Sequence, residues 1–243
     1  MNFDKLFKGK LVKRYKRFLA DIILENGEKI TAHVPNSGAM TSCIEENCDV
    51  WLSFHDNPKR KLKYTLELTK INDNLICTNT NVANKIAIEA IQNGFIKELQ
   101  GYSSLKPEQK YGVNSRIDIL LENEDKQKNQ KCYVEVKSVS LKIEDYLAFP
   151  DSVTLRGEKH LQELLQMVKE GHRAVMLYVI QRTDTLPFRL AFEIDKKYCE
   201  SFQEVTSNGV EVLVYQSSID FEKICINKSL NFKSSDLYCS HIF

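Results

Sequence analysis

The sequence predicts an α/β protein, α+β overall, built in two parts. A small β-barrel spans residues 1–80 and a mixed-sheet α/β domain spans 81–243. Two observations predict it. Up to residue 77, apolar residues recur at every second position in short runs broken by Asn-Gly, Pro-Asn and Asn-Pro turn signals, with no run of helical period. From residue 79 onward helical and extended patterns alternate, the order of an α/β fold.

Residues 10–24, KLVKRYKRFLADIIL, read as a strand with a basic outer edge. Asn26-Gly27 is a hairpin turn and 28–34 the returning strand. Pro35-Asn36-Ser37-Gly38 is a loop, either a plain turn or a set of backbone N–H groups offered to an anion. Residues 50–54 form a third strand carrying Trp51, the only tryptophan, expected in the barrel core. Residues 61–70 alternate Leu62, Tyr64, Leu66 and Leu68 with polar residues, and 75–77 close the series. Short strands in this density suggest an OB-like barrel.

In the second part a helix is expected over 82–93, capped by Asn81 and stopped by Gly94. Residues 101–112 read as a polar connection. Strands 116–121 and 132–137 flank a charged loop, and 157–170 is a helix with Leu161, Leu164, Leu165 and Val168 at helical spacing. The apolar run 173–181 is a buried strand. Strands over 188–194 and 210–215 enclose a helix over 195–207, and the tail from Asp220 carries no legible period.

With 42% hydrophobic and 28% charged residues the chain is globular rather than disordered. Net charge is only +1, but residues 1–20 hold seven cations, including Lys13, Arg14, Lys16 and Arg17, against Asp4 alone. Rings at Tyr15 and Phe18 lie among them, the mixture a nucleic-acid groove uses, or else a solvated strand edge. Arg60, Lys61 and Tyr64 form a second such group. Seven cysteines without a Cys-x-x-Cys pair point to reduced thiols. A cytoplasmic protein without a membrane segment is expected, since no apolar run reaches about 20 residues.

The chemistry concentrates in SRIDILL and YVEVKS. Alternation places Glu135 and Lys137 on one strand face, and a hairpin brings Asp118 beside Glu135. Two carboxylates next to a lysine suit Mg²⁺ or Mn²⁺; a bare Glu-x-Lys also suits a solvated cross-strand ion pair. No organic cofactor is expected. The Asp…Glu-x-Lys spacing resembles that of the PD-(D/E)xK nuclease-like fold. Arg156 and His160, at the start of the next helix, could reach a phosphate or stand on the surface.

The blocks LVKRYKRFLADI, HVPNSGAM, RKLKYTLELT, GYSSLKPEQKYG, SRIDILL, YVEVKSVSL and FPDSVTLRGEKHLQEL resemble the sugar fermentation stimulation protein A (SfsA) family across residues 11–215. The resemblance implies an N-terminal OB-like domain, a PD-(D/E)xK-like domain, DNA binding without sequence preference, and a link to the regulation of sugar use, maltose in particular. The nuclease-like motif carries over onto Asp118, Glu135 and Lys137, with the helical acid that often completes such sites falling on Glu89. Three functions are therefore expected in turn: a non-specific DNA-binding protein, an Mg²⁺- or Mn²⁺-dependent DNA nuclease, and a regulator using the nuclease-like domain as scaffold.

Overall fold

The computed structural model describes residues 1–112, 115–123 and 130–232. Most of the charged loop after residue 122 and the last residues of the tail, Cys239 and His241 included, lie outside these.

The barrel is built from β1 (Leu6–Tyr15), β2 (Leu19–Leu24), β3 (Lys29–His33), β4 (Asp49–Phe54) and β5 (Tyr64–Ile71). They run in the order β3-β2-β1-β4-β5 and close through a parallel pairing of His33 with Thr65. β6 (Asn74–Cys77) extends the sheet from β5. Closure removes the free edges that an open sheet would expose. Leu11, Ala20, Ile22, Ala32, Val50, Leu52 and Leu66 fill the interior, one face of each strand.

Two expectations for this part are corrected. Residues 10–24 are not one strand: Lys16 and Arg17 take φ of 49° and 63°, and this turn separates β1 from β2. β1 pairs with β4 only over Leu6–Lys10, so Lys8 and Lys10 lie inside the sheet while Lys13 and Arg14 pair with β2 alone. Trp51 lies outside the barrel interior. It stacks on Phe221 at 4.6 Å and joins the core that α1 (Asn81–Gln92) forms with the second domain.

After α1 and a 3₁₀ turn, Lys97–Leu99, come β7 (Ser104–Tyr111), β8 (Ser115–Glu122), β9 (Cys132–Val139), β10 (Leu141–Ile143), β11 (Tyr146–Phe149) and α2 (Leu155–Lys169). Then follow β12 (Arg173–Ile180), β13 (Phe188–Leu190), α3 (Lys196–Ser207), β14 (Glu211–Ile219) and β15 (Ile224–Ser229). The main sheet runs β15-β14-β12-β9-β8-β7, with β12 parallel to β9 and β14. β10, β11 and β13 make a small second sheet.

β12 shows why its sequence is apolar throughout. Val175, Leu177 and Val179 meet α1, while Ala174, Met176, Tyr178 and Ile180 meet α2 and α3. The same sandwich buries both faces of β9. Residues 101–112, expected as a connection, contain β7; it is the outer strand, which tolerates Pro107 and its polar neighbours. The strand expected over 188–194 is confined to β13, and β10, β11 and β15 had no counterpart in the sequence reading. Helix α1 starts one residue early, after Thr80, which makes no side-chain cap.

Arg182, 2% exposed, joins the two parts. Its Nε donates to Asp184 Oδ2 at 2.7 Å, and its Nη1 donates to Ser140 O at 2.7 Å and to Ser42 O at 3.3 Å, in the barrel's β3–β4 loop. Among the described residues, truncation leaves Asp184 buried with Lys142 at 3.8 Å as its remaining ion-pair partner. The expected cost of Arg182→Ala in urea denaturation is about 3–5 kcal/mol. A loss under about 1 kcal/mol, the value of an exposed pair, would remove the clamp assignment.

Candidate metal centre and nucleic-acid cleft

β8 and β9 pair antiparallel from Leu121↔Cys132 to Ile119↔Val134, and the ladder stops there. At the next step Asp118 Oδ2 accepts the Val136 N–H at 2.8 Å, taking the place of a backbone acceptor. Its Oδ1 accepts Asn84 Nδ2 of α1 at 2.8 Å. Glu135 is 2% exposed. Its Oε1 accepts Lys137 Nζ at 2.7 Å and also contacts His160 Nδ1. Arg156 Nε donates to His160 Nε2 at 3.4 Å and Lys137 Nζ lies 3.3 Å from Nδ1; hydrogen on Nδ1 suits Glu135 and Arg156.

These side chains line a polar cleft of about 400 Å³, whose opposite wall is the barrel loop Asn36-Ser37-Gly38. Burial and the neighbouring Glu135 charge push the Asp118 carboxyl up to about 6, against the hydrogen bonds from Val136 and Asn84. Glu135 moves the other way. Burial opposes its ionisation, but the Lys137 charge and the His160 contact outweigh it and hold the carboxyl below its usual range.

Glu135 Oε2 is buried and makes no hydrogen bond. An unsatisfied buried carboxylate oxygen beside a second desolvated carboxyl is a donor set for a hard divalent cation. Among the described residues no three His, Cys, Asp or Glu side chains converge to hold an ion. The pair therefore suits a cation that takes its other ligands from backbone, water and phosphate, as Mg²⁺ does.

The cleft unites Asp118, Glu135 and Lys137. Glu89 is elsewhere: half exposed, it pairs with the Met1 ammonium and does not line the cleft. The α1 residue that faces Asp118 is Asn84. His160 is not on the surface but 5% exposed on the buried stripe of α2 with Gly157, Leu161 and Leu164. A histidine on an apolar helix stripe was the available signal. Glu108 also lines the cleft, at φ 54° on β7, between Pro107↔Ile119 and Gln109↔Ile117 and so across from Asp118.

The basic residues separate into distinct roles. Arg14 donates Nε to Arg17 O at 2.9 Å, Nη1 to Ala39 O at 3.1 Å, and Nη2 to Asn36 O and Gly38 O at 2.9 Å each. It is a clamp on the cleft wall. Lys13 stands 3.7 Å from Asp21 and over the Tyr15 ring. Lys16 and Arg17 are exposed on the turn beside that wall, joined to it by the Val34 N–H to Phe18 O bond of 2.8 Å. Lys61 is exposed. Arg60 Nη2 donates to Thr65 Oγ1 at 2.9 Å in a second cavity. Tyr64 is packed against Phe7 and Phe54 at 5.8 and 5.1 Å between centroids.

The raised Asp118 carboxyl has a stability consequence. The folded state holds this proton more tightly than the unfolded chain does, so stability falls as pH rises from about 4 through about 6. Asp118→Asn removes the buried charge and is expected to stabilise the protein by about 2–3 kcal/mol at pH 7.5 and by little at pH 4. Thermal melts at the two pH values check this. A variant less stable than wild type at pH 7.5 would contradict it.

Comparison with known proteins places this geometry in a family. A family model described as the sugar fermentation stimulation protein RE domain matches residues 81–223, and one described as the SfsA N-terminal OB domain matches 12–78. A sugar fermentation stimulation protein homolog from Marinomonas sp. (strain MWYL1) is 52% identical over 227 residues, 93% of this chain and 87% of that one. A homolog from Pseudoalteromonas atlantica is 49% identical over 230 residues, covering 94% and 97%. The structure of Pyrococcus furiosus SfsA in complex with Ca²⁺ superposes with a TM-score of 0.84 at 23% identity, over 95% of this chain and 96% of that one, and shows the same fold. The closed barrel, the mixed sheet and these matches together make the chain a member of the sugar fermentation stimulation protein A (SfsA) family.

Proposed function

We propose that the protein binds DNA without sequence preference along the cleft between its barrel and its mixed sheet, and that the cleft is a divalent-cation-dependent phosphodiesterase centre. The observation that carries this reading is the unpartnered Glu135 Oε2 buried beside Asp118 and Lys137. Asp118 and Glu135 would hold Mg²⁺ or Mn²⁺, with the Val136 carbonyl as a further oxygen. The Ca²⁺ complex of the Pyrococcus furiosus relative supports a divalent cation in this family. Bound there, the ion supplies Lewis-acid polarisation of a phosphate and a lowered water pKa.

The chain's own residues do the rest. Lys137 keeps its ammonium within 2.7 Å of Glu135 Oε1, where it offsets negative charge developing on a phosphate in the cleft. His160 and Arg156 fix the Glu135 carboxylate from behind. Asn84 holds Asp118 from the helix side. Lys16 and Arg17 offer phosphate contacts at the cleft wall, which position a strand without reading its bases. The domain division near residue 80 and a cytoplasmic location belong to the same proposal. A part in regulating sugar use draws on the relatives' name and on no residue of the site.

Binding and turnover separate in one series of assays. Anisotropy with labelled single-stranded and duplex DNA is expected to show affinity falling steeply between 50 and 200 mM salt. Lys16→Glu with Arg17→Glu is expected to weaken binding about tenfold for every sequence. Salt-independent affinity, or an unchanged double variant, would overturn the binding claim. With Mn²⁺ present, Glu135→Gln and Lys137→Ala are expected to lose at least about 100-fold in cleavage rate while retaining DNA affinity. Equal cleavage by wild type and variants, or none by wild type, would overturn the catalytic claim.

A further inference from the structure

A second cavity, of about 440 Å³, opens between the barrel and α1. Its most buried charged group is Glu67 on β5, 7% exposed. Oε1 accepts Ser53 Oγ at 2.7 Å and Oε2 accepts Asn79 Nδ2 at 2.8 Å. Among the described residues these neutral donors are its partners, and no cation forms an ion pair with it. A carboxylate oxygen has two acceptor sites, so each keeps one for a ligand. An uncompensated buried carboxylate is costly unless further donors reach it.

The cations stand at the lining rather than on the carboxylate. Arg60 is half-buried and held by Thr65 Oγ1, and Lys85 of α1 is exposed. His33 is kept toward its neutral form, chiefly by burial and then by the Arg60 charge, against the Glu67 charge. Ser53 lies between His55 Nε2, at 3.1 Å, and Glu67. A nucleophile relay needs the histidine in the middle, so this order makes a recognition surface and not a serine triad.

A ligand matching these groups carries N–H donors at one end and an anion at the other, within the size of a nucleotide. Asn81 lines both this cavity and the Asp118 cleft. The two cavities therefore border one another at the start of α1.

We propose that the second cavity seats one unpaired nucleotide, its base donating N–H groups to Glu67 and its phosphate meeting Arg60 and Lys85. Pairing would occupy those base N–H groups, so the cavity selects a single strand over a duplex. Guanine offers two adjacent N–H donors to a carboxylate, whereas thymine offers one. The inference takes only its ligand class from the nucleic-acid reading above.

Calorimetry of the full chain with dGMP and dTMP, without metal, tests it. The expected result is about tenfold tighter binding of dGMP than of dTMP, the discrimination of a good bidentate contact. Glu67→Gln is expected to erase that preference. Lys85→Glu, at an exposed position, is expected to weaken both nucleotides alike, and it keeps the test decisive if the Glu67 variant does not fold. Equal binding of the two nucleotides, no binding of either, or an unchanged Lys85→Glu would overturn the proposal. DNA binding without this discrimination would remove the second cavity and leave the proposed function standing. Nucleotide discrimination without DNA binding or cleavage would do the reverse.

Discussion

An ionised carboxylate buried inside the main sheet constrains everything around it. Glu135 lies on a strand covered by helices on both faces, where an unpaired charge costs several kcal/mol. Lys137, two residues along the same strand, supplies the opposing charge. α2 supplies His160, which explains a histidine on a helix stripe otherwise made of apolar residues. Both act on Oε1, so the carboxylate is stabilised while Oε2 stays buried without a hydrogen-bond partner. Asp118 is driven the opposite way, by its own burial first and by the same charge second, and the two carboxyls are thereby set apart in acidity within one cleft.

The barrel is part of this arrangement and not an appendage to it. Arg14 spends its guanidinium on four backbone carbonyls of residues 17 and 36–39, which fixes the loop that walls the cleft. Gly38 in that loop faces the Asp151 carboxylate so closely that a Cβ would stand 2.0 Å from Oδ2. Any larger residue there would have to displace the Asp151 side chain that meets the barrel loop. The exposed Lys16-Arg17 turn is carried by the same clamp. The cations proposed to contact phosphate are thus held in register with carboxylates beyond the barrel, which is how positioning groups gain their effect.

Period-two alternation made the barrel strands and the Asp118, Glu135 and Lys137 spacing legible, because strand geometry converts sequence offset directly into direction. Helix and fold-level partners were not legible in that way. Glu89 and Asn84 are five residues apart on α1, about 140° around its axis, and nothing in the chain says which face meets the end of β8. Arg14 counts as a basic residue in any composition, but three of its four acceptors lie 22–25 positions away. β7 was missed because an outer strand needs no apolar alternation. β10 and β11 are too short to show a period. Trp51 was assigned to the barrel interior because alternation marks a buried face without telling which core buries it.

The central claim is that Glu135 Oε2 and Asp118 form a binding site for a divalent cation, independent of any nucleic acid. Calorimetric titration of the protein alone with Mn²⁺ at pH 7.5, beside Glu135→Gln, tests it most directly. Saturable binding by wild type and its loss in the variant are expected, with the variant's fold intact by circular dichroism. Absence of binding by wild type, or equal binding by a folded Glu135→Gln, would contradict it.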